Sequence, residues 1–169
     1  MTGMRTARLR LVLACAVLAA AAAFGIAYAS EIYGGLVPCA LCLVERWPYR
    51  IAIAIGIVGL VLPRPLARFA LALLSLTMLG GAAIAGVHVG VEQGWWPSPL
   101  PECAAPRFSG GSIAQRLASM PAVPSKSCEE PTYLVPHLPL SMAMMDLLFA
   151  LGLCLIAAYF VHRSRRSAA

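Results

Sequence analysis

The chain has 169 residues, of which 60% are hydrophobic, and a mean hydropathy of +0.80. Soluble domains are roughly 45–50% apolar, so an ordinary water-soluble fold is excluded and lipid is the solvent to reason with. The formal charge of +6 is not a nucleic-acid patch, because the arginines gather at alternate ends of apolar segments.

Arg5, Arg8 and Arg10 precede the first apolar run, which extends over about 9–29. An arginine-rich start followed by Ala27-Tyr28-Ala29 also resembles a cleavable signal peptide, but the run exceeds the roughly 7–15 residues of such a segment, which favours a retained span. The second span is expected over 41–62. Its uninterrupted apolar part, Ile51 to Leu62, has too few residues at 1.5 Å each to cross a core of about 30 Å. The helix must therefore begin near Leu41, which puts Cys42, Glu45 and Arg46 in its first turns. Trp47 and Tyr49 suit the headgroup depth. Pro48 is tolerable that early, with some kinking.

A tight turn at 63–65, Pro63-Arg64-Pro65, leads to a third span over 66–90, and a fourth follows over 138–161. Arg64 and Arg68 lie at the turn, and Arg163, Arg165 and Arg166 follow the last span. The acidic residues fall in the other loops or near their ends. By the positive-inside rule both termini and the 63–65 turn are cytoplasmic. The expected fold is an all-α membrane protein, a single domain over 1–169. It is a four-transmembrane-helix bundle with a short first periplasmic loop, 30–40, and a long second one, 91–137.

Of six cysteines, Cys15 and Cys154 fall inside apolar spans and read as small buried hydrophobes. Cys39, Cys42, Cys103 and Cys128 all fall on the outer side, where disulfides persist. The second loop is rich in proline and glycine, and Ile113 to Met120 within it reads as a short surface amphipathic helix. Trp95 and Trp96 read as interfacial anchors.

The spacing tests several chemistries. A zinc knuckle or ribbon usually needs two close pairs, whereas Cys103 and Cys128 are far apart, so no metal is expected. A c-type haem needs C-x-x-C-H, and Leu43 follows Cys42. Two static disulfides remain possible, although a C-x-x-C loop removes little chain entropy and is a poor stabiliser. Electron exchange suits so tight a pair better. Cys42 and Arg46 share a helix face at i and i+4. The arginine and the helix N-terminus would both favour a Cys42 thiolate. A charge at that depth needs a partner or a role, and Glu45 or a lipid phosphate would serve as a partner. Asp146, an acid inside the last span, is a candidate for proton delivery or for a hydrogen bond between helices.

Pro38-Cys39-Ala40-Leu41-Cys42 with Glu45-Arg46-Trp47-Pro48-Tyr49, Trp96-Pro97-Ser98-Pro99 before Cys103, the distant Cys128, and Leu140-Ser141-Met142-Ala143 together resemble the DsbB disulfide-bond formation family over nearly the whole chain. The resemblance implies a bacterial inner-membrane protein-dithiol:quinone oxidoreductase. It would use ubiquinone or menaquinone and a DsbA-like periplasmic partner. Cys103 would be attacked by that partner and Cys128 would be its disulfide mate. Cys39–Cys42 would be the quinone-facing pair, with Arg46 and His88 near the quinone. Two alternatives stand beside it. One is a quinone reductase of the vitamin K epoxide reductase type, although there the C-x-x-C usually lies in the last helix. The other is a non-enzymatic membrane protein with static disulfides.

Overall fold

A computed structural model of the chain describes residues 2–103, 112–113, 126–135 and 138–166. Four long helices occupy most of them: α1 Thr2–Ile32, α2 Ala40–Val61, α3 Arg64–Glu92 and α4 Met142–Arg166. A single 3-10 turn, Pro101–Cys103, follows α3. Three helices contain segments long and apolar enough to cross a membrane: Thr6–Ile32, Arg64–Glu92 and Met142–Ser164. The remaining helix, α2, has 22 residues, about 33 Å at 1.5 Å each, and carries Glu45, Arg46 and Arg50 in its first half.

Local chemistry explains the helix ends. Pro63 is the N-cap of α3 and Pro65 lies in its first turn, where a missing N–H costs nothing. The link between α2 and α3 is therefore tighter than the proline cluster suggests, because Arg64 is already helical. The last helix begins at Met142 rather than near Leu138. Ser141 is the reason: its Oγ accepts the Met144 amide at 3.2 Å, as an N-cap serine does. The amphipathic segment expected over Ile113 to Met120 lies, from residue 114 on, outside the described residues.

The helices pack through small residues. Helix α3 is central, with its most extensive contact against α4 and the next against α2, while α1 packs chiefly on α2. The main core joins Leu13, Ala16 and Ala20 of α1, Ala52 of α2, Leu71, Leu74 and Met78 of α3, and Ala150 and Ala157 of α4. Gly56 faces Val17 and Leu74, and Gly59 faces Ala70 and Leu13, so closely that an added Cβ would collide. Gly81 likewise makes room for the Pro48 ring, which keeps α2 continuous beside α3. Close approach through small residues is how helices associate where lipid removes the hydrophobic drive.

Leu11, Leu18, Leu76, Leu155 and Ile156 are exposed on the outer faces, which is liability in water and ordinary solvation in lipid. One expectation is corrected here. Cys154 is buried, but Cys15 is exposed, because its position on α1 turns it away from the other helices. At one end of the bundle Arg8, Arg64 and Arg163 line a common recess. The cysteine loops lie at the opposite ends of α1 to α4.

Candidate redox site

Cys39 is the N-cap of α2, with extended backbone (φ −81°, ψ 170°). Its Sγ accepts the Cys42 amide at 3.2 Å. The helix N-terminus thus serves Cys39, and the expectation that it would serve Cys42 is corrected by this capping geometry. The two Sγ atoms lie 2.7 Å apart, so closing them to a bond of about 2.05 Å needs only a small side-chain rotation. The Cys42 thiol donating to Cys39 is the largest influence on the Cys39 thiol and holds it below the ordinary thiol range, against the opposing effect of burial.

Cys103 and Cys128 are disulfide-bonded, with Cα atoms 4.9 Å apart. The Cys128 amide donates to the Cys103 carbonyl at 3.3 Å, and Ser127 Oγ donates to the same oxygen at 3.2 Å. This disulfide packs in one buried cluster with Cys39, Leu41 and Val91, with Cys42 at its edge. A backbone bridge joins Cys39 to Lys126, and Lys126 Nζ is held by the Pro131 carbonyl and Thr132 Oγ1 at 3.3 and 3.1 Å. The long loop is thereby pinned where its disulfide adjoins the C-x-x-C pair.

Arg46 does not pair with Glu45. Its Nη2 donates to Glu31 Oε2 at the end of α1, at 2.7 Å, and its guanidinium lies 4.7 Å from the centre of the Tyr28 ring. Glu45 instead accepts from His88 Nδ1 at 2.8 Å. His88 Nε2 faces Cys39 Sγ at 3.5 Å and Glu92 Oε1 at 4.0 Å. Glu92 in turn accepts from Ser141 Oγ at 2.5 Å. His88 therefore sits behind the cysteine pair, among carboxylates.

On the other side of Cys42 a cavity of about 270 Å³ opens between α1, α2 and α4. Its apolar wall includes Phe24, Leu36, Val37, Met145 and Phe149; its polar wall includes Glu31, Glu45, Arg46, Tyr49 and Asp146, and Cys42 also lines it. His88 does not line it. Tyr49 hydroxyl donates to Asp146 Oδ1, while Asp146 Oδ2 is buried with no hydrogen-bond partner among the described residues. An apolar slot with the Arg46 cation on its polar wall fits a flat ring that carries a carbonyl acceptor at its edge.

Sequence reasoning named the four outer cysteines, Arg46 and His88 as site candidates, and the structure brings all six to one end of the bundle. It did not find Glu31 or Glu92 as partners, or Tyr49 as a site residue. The available signal was position: Glu31 and Glu92 each end an apolar run on the cysteine side.

Comparison with known proteins accords with this arrangement. An uncharacterized protein of Rickettsia prowazekii (strain Madrid E) is 32% identical over 136 residues, covering 79% of this chain and 76% of that protein. No solved structure matches. Residues 9–160 match the family described as Disulfide bond formation protein DsbB. With nearly the full chain inside that match, the protein belongs to the DsbB family of disulfide bond formation proteins.

Proposed function

We propose that this chain re-oxidises a DsbA-type dithiol oxidase in the periplasm and passes the electron pair to membrane quinone. The observation that supports this most directly is a row: the Cys103–Cys128 disulfide against Cys39, Cys39 against Cys42, and Cys42 on the wall of an apolar cavity. Such a row leads electrons from a soluble loop to a lipid-side acceptor.

The partner's thiolate attacks Cys103 Sγ. The Cys103–Cys128 bond breaks, a mixed disulfide forms and Cys128 leaves as thiolate. In the oxidised resting enzyme Cys128 then attacks Cys39 of a Cys39–Cys42 disulfide, and Cys42 leaves as thiolate. The partner's second thiolate resolves the mixed disulfide and frees Cys103. The freed Cys103 thiolate attacks Cys128 Sγ of the Cys39–Cys128 bond, which restores the loop disulfide as Cys39 leaves as thiolate, so Cys39 and Cys42 are both reduced. Two electrons and two protons have then left the partner. Quinone, when bound, supplies the acceptor for that pair.

Arg46 would hold the ring by donating to one carbonyl, with its other nitrogen fixed by Glu31. Phe24 and Phe149 would flank the ring and exclude water. A strong acceptor is required, because DsbA is itself strongly oxidising at about −120 mV and each 30 mV is about 1.4 kcal/mol for two electrons.

The test is an assay with quinone-stripped protein, reduced DsbA, and ubiquinone or menaquinone added separately. One quinol per DsbA disulfide is expected, and none with Cys42→Ser. Arg46→Ala removes a charge-assisted hydrogen bond of about 1.5–3 kcal/mol, so the quinone KM should rise about tenfold or more. If Cys42→Ser still yields quinol from reduced DsbA, the proposal fails; if the unaltered protein oxidises no DsbA at all, the disulfides are static. Epoxide reduction without DsbA oxidation would replace it with a vitamin K epoxide reductase-type activity.

A further inference from the structure

We propose that the reduced Cys39–Cys42 pair and His88 form a redox-gated site for a thiophilic divalent cation such as Zn²⁺ or Cd²⁺. The two sulfurs and a ring nitrogen of His88 all lie within 4.8 Å of one another. This site rests on the geometry of the dithiol state and is independent of quinone chemistry.

Three observations point to a ligand set rather than a chance cluster. First, the histidine is oriented as metal-binding histidines are. A carboxylate is acceptor-only, so the proton on the 2.8 Å bond between His88 Nδ1 and Glu45 Oε1 belongs to the ring. Nε2 then turns its lone pair toward Cys39 Sγ, 3.5 Å away. A carboxylate holding the far nitrogen fixes tautomer and ring direction and raises the basicity of the ligating nitrogen. Second, Cys39 and His88 are buried, so a bound ion is shielded and its ligands are already ordered. Third, two thiolates with a neutral imidazole cancel the charge of a divalent ion, which suits a buried place.

Zinc bonds of about 2.3 Å to sulfur at a tetrahedral angle separate the sulfurs by about 3.8 Å. Cys42 must therefore swing outward by about 1 Å from its 2.7 Å contact. Cys42 also borders the cavity, which gives it room. Water completes the fourth position and keeps the site neutral, with Glu92 Oε1, 4.0 Å from His88 Nε2, near enough to accept from it. Binding releases the two thiol protons. The disulfide form has no thiolate and does not bind, so occupancy reports the redox state of the pair. An ion held there would keep the dithiol from transferring electrons.

Sequence spacing excluded a zinc knuckle because the second cysteine pair is not close. The third ligand comes instead from α3, 49 residues from Cys39, where no local pattern reveals it.

The test uses the full chain with Cys103→Ser and Cys128→Ser, purified free of quinone, so that one outer dithiol remains. Cd²⁺ alone is titrated while the thiolate-to-cadmium ultraviolet band is followed. One equivalent should bind the reduced protein, and the oxidised protein should show no band. Glu45→Gln should weaken binding about 10–100-fold, and His88→Ala by at least as much. X-ray absorption of the Zn²⁺-loaded protein, with both residues intact, should show two sulfurs at about 2.3 Å and one nitrogen at about 2.0–2.1 Å. No binding by the reduced form, equal affinity in His88→Ala, or a shell lacking imidazole nitrogen would each overturn the proposal.

Discussion

Cys39 caps α2, and both the amide and the thiol of Cys42 point at its sulfur. The thiol is the larger influence, and together they stabilise the anion and lower the Cys39 pKa, while burial and Glu45 oppose them. Peptide-resolved alkylation of the reduced protein should therefore show Cys39 reactivity rising with pH through an inflection below the ordinary thiol value of about 8.5. Cys42→Ala removes the largest lowering cause, so the inflection should move up and the rate at neutral pH should fall. An unchanged inflection would mean that the cap alone sets the thiolate. The pair and its arginine were legible in the sequence because capping and i, i+4 spacing are local. The partners were not. Arg46 reaches Glu31 across 15 residues and Glu45 reaches His88 across 43, distances that only helix packing closes. Arg46 and Cys42 do share a face, as the spacing requires, yet the guanidinium turns to α1 because a carboxylate and an aromatic ring wait there.

Among the elements, α2 and α4 are joined inside an apolar environment by a polar contact, the Tyr49 hydroxyl on Asp146, beside a ring contact between Tyr49 and Phe149 at 6.1 Å. Asp146 Oδ2 already lacks a partner. Tyr49→Phe would leave both carboxyl oxygens unpaired, at a cost of about 1–3 kcal/mol, seen as a lower Tm in detergent. Asp146→Leu in the Tyr49→Phe background removes the orphaned group and should recover most of that loss, because replacing both partners by apolar groups is nearly neutral. Equal instability in the single and double variants would assign the effect to ring packing instead. The sequence marked Asp146 as unusual through its depth. It did not mark Tyr49, which reads equally well as an interfacial aromatic. The helices themselves were legible from apolar length, whereas the start of α4 was displaced by a cap that hydropathy does not register: Ser141, not the apolar run, sets where the helix begins.

For the whole molecule, the distribution of charge predicts which end meets which compartment. Arg8, Arg64 and Arg163 come from the start of α1, the α2–α3 turn and the end of α4, and they converge on one recess. All four outer cysteines lie at the other end, with Glu31, Glu45 and Glu92. Arginine-rich ends are retained in the cytoplasm and acidic residues contribute little, so a periplasmic cysteine end is the orientation this charge pattern predicts and the proposed function requires. A single introduced cysteine at Ser98, in a chain whose six native cysteines are replaced by serine or alanine, should react in intact cells with a membrane-impermeant maleimide. One at Ser164 should react only after the membrane is opened. Reaction of both from outside would overturn the orientation, and with it the access of a periplasmic partner. That access also requires loop movement. Cys103 and Cys128 are fully buried, so the proposed attack on Cys103 predicts that the disulfide must first lift from Val91 and Cys39. The pinning bonds of Lys126 to Pro131 and Thr132 lie in the loop itself and can travel with it. The Cys39–Lys126 bridge and the Met142 amide donating to the Thr132 carbonyl at 2.8 Å join the described part of the loop to α2 and α4, so lifting the segment around Cys128 breaks the first and leaves the second as its anchor.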